Sequence, residues 1–122
     1  ILKNAYESGT IMSGVSAGAI CWFEKGITDS WANDLNVLEC LGYTKGNCCP
    51  HYDEEPERKP SLSKFISNGE ISDCFAIDGG CALHLKNDQV FKSISFKNGK
   101  NSFLVKNEEG RITETSLPKI SL

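Results

Sequence analysis

No stretch of this sequence is apolar for long enough to span a bilayer as a helix. Positive charge is also scarce: 13 Lys and Arg stand against 16 Asp and Glu, a formal net charge of −3. No basic face of the kind that follows a phosphate backbone is evident. We therefore expect neither a nucleic-acid nor a membrane partner. Histidine is rarer still. His51 and His84 are the only two, which leaves few choices for a base that exchanges a proton near neutrality. There is no CxxC, no secretory leader in view, no internal repeat and no low-complexity segment. The six cysteines sit mostly in apolar contexts such as AICWF, LECLG and DCFAI, and are expected to be reduced core thiols of a cytoplasmic protein. Cys48, Cys49 and His51 are the sharper alternative, a zinc site, but their spacing fits no common zinc pattern. No metal and no cofactor is expected. With 122 residues, 39% apolar and 24% charged, the chain suits one soluble globular domain.

The most informative stretch is Thr10 to Phe23, TIMSGVSAGAICWF. Gly14-Val15-Ser16-Ala17-Gly18 is a GxSxG pattern between a β-prone run and a helix-compatible one. A nucleophile elbow needs that context: a strand turns sharply into a helix and leaves one serine strained at the apex. Both glycines are expected where a Cβ would collide. The helix from Ala17 would aim free N–H groups at Ser16 and favour negative charge there. A Gly/Ser/Ala-rich packing turn without chemistry is the plainer alternative.

Along the chain, residues 1–8 read as a helix end closed by Gly9, and 10–15 as a buried strand. The elbow helix runs to about Phe23, and Glu24 to Asn33 reads as a surface loop. Asn36 to Leu41 is a short strand or helical turn. Gly46 to Tyr52 is a strand that Pro50 demotes to an edge. Asp53 to Lys59 is charged and expected to be solvated. Leu62, Phe65 and Ile66 share a face and predict a helix over 60–68, ended by Gly69. Cys74 to Ile77 is a strand before the Asp78-Gly79-Gly80 turn. Four short strands then predict an antiparallel meander: Ala82–Leu85, Gln89–Phe96, Asn101–Lys106 and Arg111–Leu117. Turns fall at Asn87-Asp88, Asn98-Gly99 and Glu109-Gly110, with Asn98-Gly99 the strongest hairpin signal. An opening without Met, with little strand before the elbow, predicts the C-terminal part of a larger α/β domain.

A serine hydroxyl needs a base. His84 lies in the alternating run CALHLK, opposite Leu83 and Leu85, and reads as a sheet-surface side chain. His51, at a predicted strand end, is the expected base, with an acidic-surface imidazole as the alternative. The residues leave Glu24, Asp29, Asp34 and Asp53 open as the acid that would orient it.

GVSAGAICWF, TDS and LGYTKGNCCPHYD, with Arg58 and Phe65, resemble the S51 serine peptidases, the peptidase E (α-aspartyl dipeptidase) and cyanophycinase group. The resemblance extends through AIDGGCALHL to GRITETSL. It implies an α/β chain forming the C-terminal part of a class I glutamine amidotransferase-like, flavodoxin-like three-layer fold. That fold would have parallel strands, a nucleophile elbow and C-terminal antiparallel hairpins. Ser16 matches the nucleophile, His51 the histidine of PHY, and Asp29 the acid, with Glu24 as second choice. The Ala17 amide would line the oxyanion hole. Arg58 resembles an arginine that grips the substrate's aspartyl side chain, while its plain alternative is one more solvated charge. Family members are close to twice this length, so residues 1–122 are expected to be one incomplete domain. The absent half would supply the first strands and a second oxyanion donor.

The expected function is serine-type hydrolysis of small peptides, dipeptides with N-terminal Asp foremost, through an acyl-enzyme. The alternative is a catalytically incomplete remnant acting as a binding or assembly module. Either leaves room for a homodimer or for pairing with the missing half. Amidotransferase-like chemistry is disfavoured, because Ser16 stands where that class has cysteine.

Overall fold

A computed structural model describes residues 1–30 and 32–121. The expectation of a loop at Trp31 lies outside the described residues. A short helix α1 (Leu2–Glu7) ends at Ser8 and Gly9, whose φ of 89° suits only glycine. Residues 10–15 form no strand, a correction to the expected buried one. Ile11 and Val15 are 87% and 84% exposed. The cause is the absence of a partner: among the described residues no strand pairs with this segment, so β propensity alone cannot order it.

The chain then turns at Ser16 into α2 (Ala17–Ile20), a single helical turn that stops short of Phe23. Strand β1 (Lys25–Thr28) follows, in place of the expected surface loop. Its last three residues are buried, and no polar alternation marks a strand covered on both faces. β2 (Asn36–Glu39) returns antiparallel to it.

β3 (Asn47–Cys49) is wholly buried between β1 and β4, not an edge. Pro50 falls one residue past its end and so removes no ladder donor. α3 (Arg58–Ser67) leads to β4 (Cys74–Ile77). β1, β3 and β4 run parallel with Lys25, Asn47 and Cys74 in register, so their C-terminal ends open on one edge.

The last third is not one meander. β5 (Cys81–Lys86) and β6 (Gln89–Ser95) form a hairpin through Asn87 and Asp88, both at positive φ. β7 (Ser102–Glu108) and β8 (Arg111–Ser116) form another through Glu109-Gly110. The Asn98-Gly99 turn joins β6 to β7, which lie in different sheets, so it closes no hairpin. β9 (Lys119–Ser121), which the sequence pattern does not announce, pairs parallel with β6. One sheet has the order β2-β1-β3-β4-β7-β8 and the other β5-β6-β9.

The central strands alternate between two apolar clusters. Ile27, Cys49, Cys74 and Ala76 face α3, whose Leu62, Phe65 and Ile66 fill the larger core with Ile71 and Val105. Cys48, Phe75 and Ile77 face the other way, toward Ile20 of α2, Phe23 and Leu85 of β5. A buried Leu or Ile side chain contributes about 1.5–3 kcal/mol, so α3 is fixed chiefly by this face. α2 approaches closely because position 26 is glycine: a Cβ there would stand 2.6 Å from the Cβ of Ile20. The result is a mixed α/β sheet with a helix on each face.

Candidate active site

Ser16 precedes α2 with φ 55° and ψ −119°, a backbone setting that costs a non-glycine residue of order 1–3 kcal/mol. The turn is as tight as the sequence implies on one side only. A Cβ on Gly14 would lie 2.9 Å from the Gly18 Cα and overlap the Gly18 carbonyl. Gly18 itself faces open space, so the expectation that both glycines avoid a collision holds for Gly14 alone. Gly18 donates its N–H to Val15 O, and Ala19 and Ile20 donate theirs to Ser16 O. The Ala17 N–H has no acceptor among the described residues, and so remains available beside Ser16.

His51 leaves the end of β3 with φ 55°. That turn directs its ring at Ser16, and Nε2 stands 3.0 Å from Oγ. On the far side of the ring, Nδ1 meets the Glu54 carboxylate. With the proton on Nδ1 donated to Glu54, the Nε2 lone pair faces the serine hydroxyl, which donates to it. The i,i+3 spacing belongs to the turn itself, in which the Glu54 N–H donates to His51 O at 3.1 Å.

The residues expected to supply the acid are placed elsewhere. Asp29, just after β1, lies 3.9 Å from the Arg58 guanidinium. Glu24 accepts the Gly46 N–H at 2.8 Å. Asp34 lends only its carbonyl, to Asn36. Asp53 accepts the Gly79 N–H and pairs with Lys100. Glu54 does not stand out in the sequence, because it lies in a charged run expected to be solvated, and an extended chain beyond His51 would put the second residue and not the third on its side.

Arg58 does not stand in solvent on a charged run; its side chain is 4% exposed. Nε and Nη2 fork onto the two oxygens of Glu55 at 2.8 and 3.3 Å, and Nη1 donates to Ile27 O at 3.2 Å. The fork expected to grip a substrate carboxylate is thus engaged by Glu55. Burial alone would lower the Arg58 pKa, but Glu55 and Cys49 together outweigh it and raise the pKa. Cys49 beneath is pushed by burial to about 11, against the partial opposition of Arg58.

Two further carboxyls shape the edge. Burial would raise the pKa of Asp53, but the Lys100 and Gly79 hydrogen bonds outweigh it and hold it below the ordinary carboxylate value. Asp78 is raised by its burial, opposed in part by the Asn101 N–H on Oδ2 and by the charges of Lys59 and Lys100, while its Oδ1 is buried without a hydrogen-bond partner among the described residues.

Cys48 and Cys49 point to opposite faces of β3, so they cannot meet at one ion with His51. No metal-holding group of side chains occurs among the described residues. All six cysteines are unbridged. His84 is exposed on β5, its ring edge-on to Phe91 at 5.0 Å. No helix among the described residues is long and apolar enough to cross a membrane.

The model of peptidase family S51 matches residues 1–93. The chain is 45% identical over 118 residues to the uncharacterized peptidase YgaJ of Bacillus subtilis (strain 168). The aligned region is 97% of this chain and 51% of that relative, so the chain spans about half the length of the curated relative it matches.

Proposed function

The chain belongs to peptidase family S51, and from that premise we propose that it carries the nucleophile, base and acid of a serine-type hydrolase of small peptides. The observation that carries this reading is the linear arrangement of Ser16 Oγ, the His51 ring and the Glu54 carboxylate. His51 Nε2 takes the hydroxyl proton as Oγ bonds to the scissile carbonyl carbon. The carbonyl electron pair moves onto oxygen, and the Ala17 N–H donates to that oxyanion. Glu54 keeps the proton on Nδ1 and stabilises the imidazolium. His51 then gives its Nε2 proton to the leaving amine, and the C–N bond breaks. A water, deprotonated by His51 in turn, releases the acyl group and restores Ser16.

Glu54 replaces Asp29 and Glu24 in this proposal on grounds of reach. Dipeptides with an N-terminal Asp are the substrates to try first, from the family resemblance. Arg58 would have to give up Glu55 to bind their side chain, so Arg58 serves here to brace the loop after β1 against the turn after β3. Hydrolysis of Asp-X dipeptides by the chain, absent in Ser16→Ala, is the expected result. Cleavage that survives Ser16→Ala overturns the serine mechanism.

A second reading, an assembly module, draws on the exposure of Ile11 and Val15 and on the lack, among the described residues, of a strand paired with residues 10–15. It is favoured if neither this chain nor a longer form of the protein, each with Ser16 intact, hydrolyses peptides.

A further inference from the structure

The His51–Glu54 turn is not free-standing. The Tyr52 N–H donates to Ile77 O at 3.0 Å, at the end of β4. Asp53 Oδ1 accepts the Gly79 N–H at 2.8 Å, and its Oδ2 pairs with Lys100 ahead of β7. Gly79 also makes room. An ideal Cβ on it would stand 2.8 Å from Glu54 Cγ and overlap the carboxylate that meets His51. Position 79 is outside the positive-φ region, unlike its neighbour Gly80 at 85°, so its backbone would accept alanine. The three nearest atoms that a Cβ at 79 would meet all belong to the Glu54 side chain.

Resting on the Ser16–His51–Glu54 reading, we infer that Gly79 and Asp53 are positioning residues, which set the Glu54 carboxylate against His51 Nδ1 through the turn that follows β4. Asp53 ties the two turns together from the side of the histidine. Gly79 leaves the volume that Glu54 fills. Neither touches the reacting atoms. Their effect passes through Glu54, whose shift by even an ångström loosens the hold on the imidazole, and misplacement of that size costs on the order of 100-fold in rate.

This makes Gly79→Ala diagnostic. Its rate of labelling by a fluorophosphonate should fall by about 100-fold, and adding it to Glu54→Ala should cause no further loss. A general structural role would instead multiply the two losses. Asp53→Ala should lose about tenfold, while Asp53→Asn, which keeps an acceptor for the Gly79 N–H, should recover most of it. Independently of reactivity, ¹⁵N-detected NMR of wild-type chain should show a far-downfield His51 Nδ1 proton that Gly79→Ala removes with the fold intact. A Gly79→Ala protein that keeps that resonance, or that loses labelling multiplicatively with Glu54→Ala, overturns the inference. Absence of labelling in wild-type protein would count against the hydrolase reading alone, because the resonance still reports on position 79.

Discussion

Ser16 and His51 stand 3.0 Å apart, yet the two are held very differently. The histidine side is built into the sheet. Its turn is tied to β4 by Tyr52 and Asp53, to the segment before β7 by Lys100, and to β8 by the Tyr52 hydroxyl, which donates to Glu114 at 2.5 Å. The serine side hangs on one helical turn. Before it lie six residues without regular structure, and behind it Ile20 is the one buried residue of α2. A strained φ persists only where its surroundings over-determine it. On the serine side those surroundings are Gly14 against Gly18 and Ile20 against Gly26 and Cys48, with the Cys21, Trp22 and Phe23 carbonyls beyond α2 accepting N–H groups from Leu41, Thr44 and Gly42. The proposed base and acid are thus held directly by the turns of the central strands, while the proposed nucleophile is held through α2 alone.

The contrast between the two sides is most exposed at the acid. Glu54→Gln keeps the shape of the turn but removes the charge that fixes the imidazole tautomer. Labelling of Ser16 should fall by about 10³–10⁴-fold with little change in stability. A fall of less than tenfold would mean that another group orients His51.

Next in size is the core under the histidine side. Leu62→Ala should cost about 2–5 kcal/mol in urea unfolding, since Leu62 is fully buried beneath β1, β3 and β4. A loss below about 1 kcal/mol would place the core elsewhere.

A smaller effect lies in the Asp53–Lys100 pair. Because the folded carboxyl is held below its ordinary value, its stabilisation is present in full above the unfolded value and disappears as pH falls through the lowered one. Wild-type protein should therefore lose stability more steeply than Asp53→Asn below about pH 4. Parallel melting curves for the two proteins across that range would show that Asp53 gains nothing from its partners.

The smallest effect is expected on the serine side. Val15→Ser, at an exposed position, should change stability by no more than about 0.5 kcal/mol. A larger loss would show that this segment is packed after all.

What can be read from the sequence follows the same divide between local and tertiary control. GxSxG, the single well-placed histidine and the helix over 60–68 depend on local pattern, and the structure has a turn at Ser16, His51 within reach of it, and α3. Glu54 is hidden because the chain leaves β3 at Cys49 and His51 takes a left-handed φ, which changes the spacing from two to three. β1 is hidden because Lys25-Gly26-Ile27-Thr28 has no apolar alternation, and its glycine is set by packing against Ile20 of α2. The fate of Asn98-Gly99 shows the reverse case: a strong local turn signal is present, but tertiary packing decides that the flanking strands part into two sheets.

The most direct test is to treat the chain with a fluorophosphonate and map the adduct by peptide mass spectrometry. A serine held at the bend and deprotonated by His51 should give a single phosphonylated residue, Ser16, whose modification is lost in His51→Ala. An adduct on any other residue, or undiminished modification of Ser16 without His51, would contradict it.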